Sequence, residues 1–172
     1  MDYFELLEKR HSIRAFTSQP VEGEKLQAIL QAANRAPSAG NLQAYEIYMV
    51  TNPTRRQELA RAALEQTFIA QAPVALVFCA NPSRSSMKYK QRGESLYCIQ
   101  YATIACVFAH LAAAALGLAS VWVGAFDDDG VRRAIGVGRD LRPVAILPVG
   151  YPGEKPEISS RRQLSSLVHH LT

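Results

Sequence analysis

Leu96-Tyr97-Cys98-Ile99-Gln100-Tyr101-Ala102-Thr103-Ile104-Ala105-Cys106-Val107-Phe108-Ala109-His110-Leu111-Ala112-Ala113-Ala114-Ala115-Leu116-Gly117-Leu118 carries no charged side chain, and the charge-free gap runs from Glu94 to Asp127. By length alone this stretch would span a bilayer, and Lys88, Lys90 and Arg92 precede it as positive flanks would. Its composition argues otherwise. Alanine dominates and gains little from lipid, while Gln100, Thr103 and His110 are costly in hydrocarbon without partners. The other segments have apolar faces that need a shared core, which a long central helix supplies. The stretch is therefore predicted to be a buried helix with no membrane role. Ala112-Ala113-Ala114-Ala115 suits close helix packing, including packing against a second subunit.

Working outward, residues 119–126 read as a strand, 128–135 as a short helix and 144–149 as a strand. Residues 151–160 are rich in proline and turn formers and lead to a basic pair and a short apolar tail. On the other side, residues 81–93 read as a polar loop and 74–79 as an apolar strand of buried type. Pro53 opens a helix to about residue 65, proline being tolerated in a first turn. Residues 45–50 form a strand. Residues 22–36 form a helix with Leu26, Ile29, Leu30 and Ala33 as its apolar stripe, ended by Pro37. Residues 2–10 form a short amphipathic helix with Tyr3, Phe4 and Leu7 on one face, followed by an extended polar exit. About four strands are mixed with helices, without a βαβ rhythm, which places the chain in the α+β class as one domain over 1–172.

The 172 residues suffice to bury roughly 70% of the unfolded surface. Hydrophobic residues at 48% and charged residues at 20% are ordinary for a globular chain and exclude general disorder. The formal charge of +4 and pI near 9.1 come from scattered arginines. They favour anionic small molecules, and without a continuous basic stripe nucleic acid is not expected as a partner. Cys79, Cys98 and Cys106 are odd in number and lack a C-x-x-C spacing, so neither structural zinc nor a disulfide framework is expected. Met1-Asp2-Tyr3-Phe4-Glu5 reads as neither signal nor transit peptide, which leaves the cytoplasm as the expected location.

Four segments offer chemistry. Arg10, Ser12 and Arg14 put two guanidiniums beside a hydroxyl, which suits a phosphate; equally, Arg10 could complement a helix C-terminus while Ser12 closes a turn. In Pro37-Ser38-Ala39-Gly40-Asn41-Leu42-Gln43, small residues admit a flat ligand and Ser38, Asn41 and Gln43 offer donors and acceptors. Val121-Trp122-Val123-Gly124-Ala125-Phe126 ends a strand, where Gly124 is either a ring-facing gap or a bulge. Arg161-Arg162 is by itself a solvated pair. Gly136-Val137-Gly138 lacks a third glycine and a preceding strand, so no dinucleotide fingerprint is present. His169-His170 has no second ligand pair, Ser38 lacks a nucleophile-elbow setting, and His110 reads as a packed, hydrogen-bonded side chain.

In this order and spacing the chain resembles the FMN-dependent nitroreductase family, over essentially its whole length. The residues that carry the likeness are Arg10-His11-Ser12-Ile13-Arg14, Ala36-Pro37-Ser38-Ala39-Gly40-Asn41-Leu42-Gln43, Leu116-Gly117-Leu118, Trp122-Val123-Gly124-Ala125-Phe126, Leu147-Pro148-Val149-Gly150-Tyr151-Pro152 and Arg161-Arg162-Gln163-Leu164. The resemblance implies a mixed, mostly antiparallel sheet of four to five strands flanked by helices. It implies that Arg10, Ser12 and Arg14 meet the FMN phosphate, ribityl chain and pyrimidine edge, with His11 in the same segment and Arg161 or Arg162 closing the phosphate site. Pro37, Ser38, Ala39, Asn41 and Gln43 would line the flavin from the other subunit of a homodimer. Val123 and Gly124 would face the ring near N5 through their backbone. NADH or NADPH would reduce the flavin, and a nitroaromatic, quinone or related electrophile would be reduced in the same pocket. No protein acid or base is obligatory, and Arg14 beside the pyrimidine edge would stabilise negative charge.

The chain departs from the family pattern at three places. Tyr101 stands where many members carry aspartate, Val107-Phe108 where they carry Gln-Asn, and His11 where arginine is common. The chain is also short, and residues 81–93 are its one sizeable segment for covering a substrate. Related readings are a same-fold enzyme that fragments flavin or removes halogen, and a non-catalytic FMN-binding protein.

Overall fold

Asp2 opens the first helix with a reciprocal cap. Its carboxylate accepts from the Glu5 N–H at 2.9 Å, and the Glu5 carboxylate accepts from the Asp2 N–H at 3.2 Å. That helix is α1 (Tyr3–Lys9), and the computed structural model, which describes residues 2–171, continues with α2 (Gly23–Ala33), a 3-10 turn (Ala39–Asn41), β1 (Tyr45–Val50) and α3 (Pro53–Ala62). Next come α4 (Phe68–Gln71), β2 (Val74–Ala80), α5 (Pro82–Arg92), a π-helical turn (Gly93–Tyr97) and α6 (Cys98–Ala115). The chain ends with β3 (Ala119–Ser120), α7 (Asp128–Ile135), β4 (Arg142–Gly150) and a short 3-10 turn (Leu164–Ser166).

The sheet order is β1-β2-β4-β3 with every strand pair antiparallel. A single parallel bridge, Ser12 to Ser120, adds the segment after α1 to its edge. All seven residues of β2 are buried because helices cover both faces of the sheet. Val74, Leu76, Phe78 and Ala80 pack with α2 and α6, whereas Ala75, Val77 and Cys79 pack with α3, α4 and α7. This two-sided burial is why β2 shows no polar alternation in the sequence.

The charge-free stretch is the core helix. Cys98, Ala102, Ala105, Cys106, Ala109 and Ala113 are buried, and their small side chains let α6 lie close to the sheet and to α2. The run Pro82–Ala115 is long and apolar enough to cross a membrane by length and composition, but it builds one of the two core clusters here. The other face of α6 is less covered, and Val107 remains 40% exposed.

Several boundaries differ from the sequence reading, each for a local reason. Residues 81–93 are not a loop: Asn81 caps α5 by accepting from the Arg84 N–H at 3.0 Å, and Pro82 takes the first helical position. The strand expected over 119–126 pairs only at Ala119–Ser120, after which Val123 makes one isolated bridge to Ile146. α2 stops at Ala33 because Arg35 and Ala36 already bond three residues back, to Ala32 and Ala33. α3 stops at Ala62, since Leu64 and Glu65 adopt φ of 57° and 60°. α4 is a single turn of four residues without a side-chain cap, too short to show a helical period in the sequence.

Candidate functional site

Arg10 caps α1 with its own N–H on the Leu6 carbonyl at 2.9 Å, and the backbone then turns extended. Extension alternates the side chains that follow. Ile13 is buried and its N–H donates to the Ser120 carbonyl at 3.2 Å, whereas Ser12 and Arg14 point outward. The same extended segment joins the far end of the chain. Thr17 N–H donates to Tyr151 O at 3.0 Å, Gly153 N–H to Ala15 O at 2.8 Å, and the Arg14 N–H to the Glu154 carboxylate. Tyr151 is itself pinned at the start of α2, where its hydroxyl donates to Glu22 at 2.8 Å and accepts from Lys25 at 2.6 Å. The tail is therefore anchored beside Arg10.

The exposed segment that follows carries Arg161 near enough for its charge to act on Arg10. Burial lowers the Arg10 pKa first, and the charge of Arg161 lowers it further. Among the described residues neither guanidinium has a carboxylate partner; Arg161 bonds only Ser159 and Ser160 oxygens. The Arg162 guanidinium is instead tied to the Ser166 carbonyl at 2.8 Å. Of the two, Arg161 is the one whose charge acts on Arg10. Beside it lies a cavity of about 200 Å³ walled in part by Lys9, Arg10, His11, His110, Ser120 and Pro156.

Two buried polar side chains complete this corner. His110 of α6 accepts from Arg10 Nη1 at Nε2 (3.0 Å), and its Nδ1 meets Ser120 Oγ at 2.6 Å. Arginine can only donate, so Nε2 is the acceptor and Nδ1 carries the proton. Desolvation, then the nearby Arg10 charge, pushes the His110 pKa down to about 4. The sequence marked His110 as a packed, bonded histidine, as found, but gave no sign that Arg10 is its partner. Ser120 was missed altogether, for its role depends on strand pairing.

The second segment is braced by its own side chains. Ser38 Oγ accepts from the Gln43 N–H at 3.0 Å, and Gln43 Nε2 donates to Asn41 O and Oδ1, both at 3.0 Å. Gly40, Asn41 and Gln43 all adopt positive φ, a strained run of the kind found at ligand clamps. α5 covers it: Arg84 Nε donates to the Leu42 carbonyl at 2.6 Å, and the Asn81 N–H donates to Ala44 O at 3.0 Å. Pro37, Ser38 and Ala39 line a largely apolar cavity of about 580 Å³ together with Ile99, Tyr101 and Thr103 of α6. Tyr101 is buried there in a tilted series with Tyr97 and Tyr89, at centroid spacings of 6.2 and 5.3 Å.

Within one chain the two segments do not meet. One adjoins residues 99–104 of α6 and the other residues 110–114, which at the helical rise separates them by roughly 16 Å along the axis. The third segment divides. Val123 N–H donates to the Ile146 carbonyl and its C=O accepts from the Ile146 N–H, both at 2.9 Å, so its one backbone donor is engaged; Gly124 is exposed and its N–H has no partner among the described residues. Of the expected pair only Gly124 keeps a free donor.

A family model described as the nitroreductase family matches residues 7–70 and 63–151. The NADH dehydrogenase of Thermus thermophilus is 30% identical over 187 aligned residues, covering 93% of this chain and 91% of that protein. An FMN reductase [NAD(P)H] of Bacillus subtilis is 28% identical over 179 residues, covering 96% and 72%. Among solved structures, the NADPH:FMN oxidoreductase of Vibrio harveyi complexed with NAD+ superimposes with a TM-score of 0.89 at 28% identity, over 98% of this chain and 76% of that one. The family model takes in Arg10 and the braced loop and stops short of Arg161, and the chain belongs to the nitroreductase family.

Proposed function

We propose that the chain is an NAD(P)H-dependent flavin oxidoreductase that holds FMN and passes reducing equivalents to a small electrophile such as a nitroaromatic or quinone. The observation that carries this reading is the partly buried Arg10 guanidinium on the cavity wall, with the Arg161 charge near enough to act on it and, among the described residues, no carboxylate paired to either. Two like charges near each other, one of them partly buried, attract an anion, and a phosphate monoester fits in charge and in bidentate geometry. The fit extends outward: Ser12 and Arg14 share the outward face, His11 walls the cavity, and Gly124 presents an unused N–H.

When bound, FMN supplies the hydride chemistry, accepting from a nicotinamide and delivering to the acceptor. The protein's residues bind and orient. Arg10 and Arg161 grip the phosphate, Ser12 donates beside it, and Arg14 offers positive charge further along the same face. Pro37, Ser38, Ala39, Asn41 and Gln43, held rigid by their own hydrogen bonds, form the wall that meets a flat ring. No side chain here must carry a proton for hydride transfer.

We further propose that this wall comes from a second subunit, because it lies too far along α6 from the arginine corner of its own chain. Exposed apolar side chains on α1, α6 and the tail support the homodimer; Phe4 is 75% exposed and Leu164 also 75%. The acceptor would enter beside Tyr101, an aromatic wall in place of the family's common aspartate. Three buried free thiols suit a reducing cytoplasm.

The deciding experiment is anaerobic titration of purified protein with NADH and with NADPH while following flavin absorbance. Bleaching by either nicotinamide, then recovery on adding a quinone or nitroaromatic, is the expected result. A protein that remains colourless and ignores added FMN would end this reading. Retained flavin that never bleaches would make the chain a non-catalytic FMN carrier.

A further inference from the structure

We propose that His110, locked by Ser120, is a positioning residue that aims the Arg10 guanidinium at the anionic end of the bound ligand. This rests on Arg10 being a phosphate ligand. The geometry is a short relay. Ser120 sits in β3, and its carbonyl accepts from Ile13, so one residue both registers the Arg10–Arg14 segment and holds the imidazole. Ser120 Oγ lies 2.6 Å from His110 Nδ1, and His110 Nε2 lies 3.0 Å from Arg10 Nη1.

A guanidinium on a three-carbon stem has much rotamer freedom, and each donor left free must be ordered when an anion binds. One bond to His110 fixes the plane of the fork while leaving four of its five N–H groups available. An imidazole does this only when neutral, because a protonated ring would have no acceptor to offer Arg10. The surroundings keep it neutral: His110 is buried, and Lys9, Arg10 and His11 are the titratable groups that share its cavity wall, with no carboxylate among the described residues that line it. A carboxylate in the place of His110 would hold Arg10 too, but it would neutralise the charge that the phosphate needs. Neutral imidazole holds the cation without spending it.

The test compares FMN and riboflavin, which differ by the phosphate alone, by quenching of flavin fluorescence on binding. His110→Leu removes both bonds. His110→Asn keeps an acceptor near the Nδ1 position only, and His110→Gln reaches the Nε2 position and can accept from Arg10. The expected result is an FMN-over-riboflavin preference lowered about tenfold in His110→Leu and His110→Asn, with riboflavin affinity unchanged. His110→Gln should recover most of the preference. Equal loss of both flavins in His110→Leu, or the same preference in the Asn and Gln variants, would overturn the proposal by making His110 a packing residue. Should the leucine variant not fold, the Asn and Gln pair decides alone. Arg10→Ala separates the two layers of argument. If it keeps the FMN preference, the phosphate reading fails; if it loses the preference while His110→Leu keeps it, only the positioning role fails.

Discussion

Replacing Arg161 by alanine deletes a charge that acts on Arg10 from the exposed tail. Without ligand the deletion relieves repulsion. Because Arg161 is solvent-exposed, that relief is well below 1 kcal/mol, so the melting temperature of the ligand-free protein should stay the same or rise slightly. With FMN the sign reverses. A charge-assisted bond to phosphate is worth about 1.5–3 kcal/mol, and exposure argues for the lower end, or roughly a tenfold weaker Kd. At saturating FMN a tenfold loss removes about 1.4 kcal/mol of linkage stabilisation, which for a chain of this size lowers the FMN-induced melting shift by about 3–6 °C. Scanning calorimetry with and without FMN, at one fixed protein concentration, reads both effects. Arg162→Ala is the internal control, since its guanidinium is held by the Ser166 carbonyl; its FMN shift should match the wild type. An Arg161→Ala protein that melts lower to the same extent with and without FMN would show the tail arginine to be structural. An unchanged FMN shift would show that Arg161 does not reach the phosphate.

Gly93→Ala sets two effects against each other. Gly93 has helical φ/ψ, so propensity alone predicts a gain of about 1 kcal/mol, but a Cβ there would lie 2.5 Å from the Ser85 carbonyl oxygen and 2.9 Å from Tyr89 Cβ. Overpacking against backbone typically costs about 1–3 kcal/mol, so urea denaturation should show a net loss; a net gain would refute the packing of α5 on the π-helical turn. Stability should also fall as pH drops from about 6.5 to about 4. The folded His110 pKa is depressed, so the unfolded chain binds the extra proton in that window, at a cost on the order of 3 kcal/mol. His110→Asn should flatten that part of the pH–stability curve, and an unaltered slope would contradict the assignment. Finally, Cys79, Cys98 and Cys106 are buried and burial raises each thiol, that of Cys79 to about 12. A thiol reagent at neutral pH should find none of them in the native protein and all three after denaturation; rapid labelling of the native protein counts against the packing of α6 and β2.

Much of this architecture is legible in the order of residues. An uncharged, alanine-rich run of helical length must be buried, so α6 follows from composition. The strands β1 and β2 follow from short apolar runs between turn formers, α1 from its apolar face and α3 from its first-turn proline. The Arg10–Arg14 and Pro37–Gln43 segments stand out because their residue types suit an anion and a flat ring. α5 was legible in principle, because Asn81-Pro82 repeats the capping pair Asn52-Pro53, but its serine-rich face hid the apolar periodicity. What the chain alone could not decide is everything that depends on pairing across long separations. That β3 shrinks to two residues, that Val123 spends its backbone on Ile146 while Gly124 does not, and that the charge of Arg161 rather than of Arg162 acts on Arg10 are outcomes of tertiary contacts. His110 and Ser120 acquire a role only because α6 and β3 bring them beside an arginine a hundred positions away. Local propensity acts over a few residues, whereas hydrogen-bond partners at such a corner are chosen by the fold.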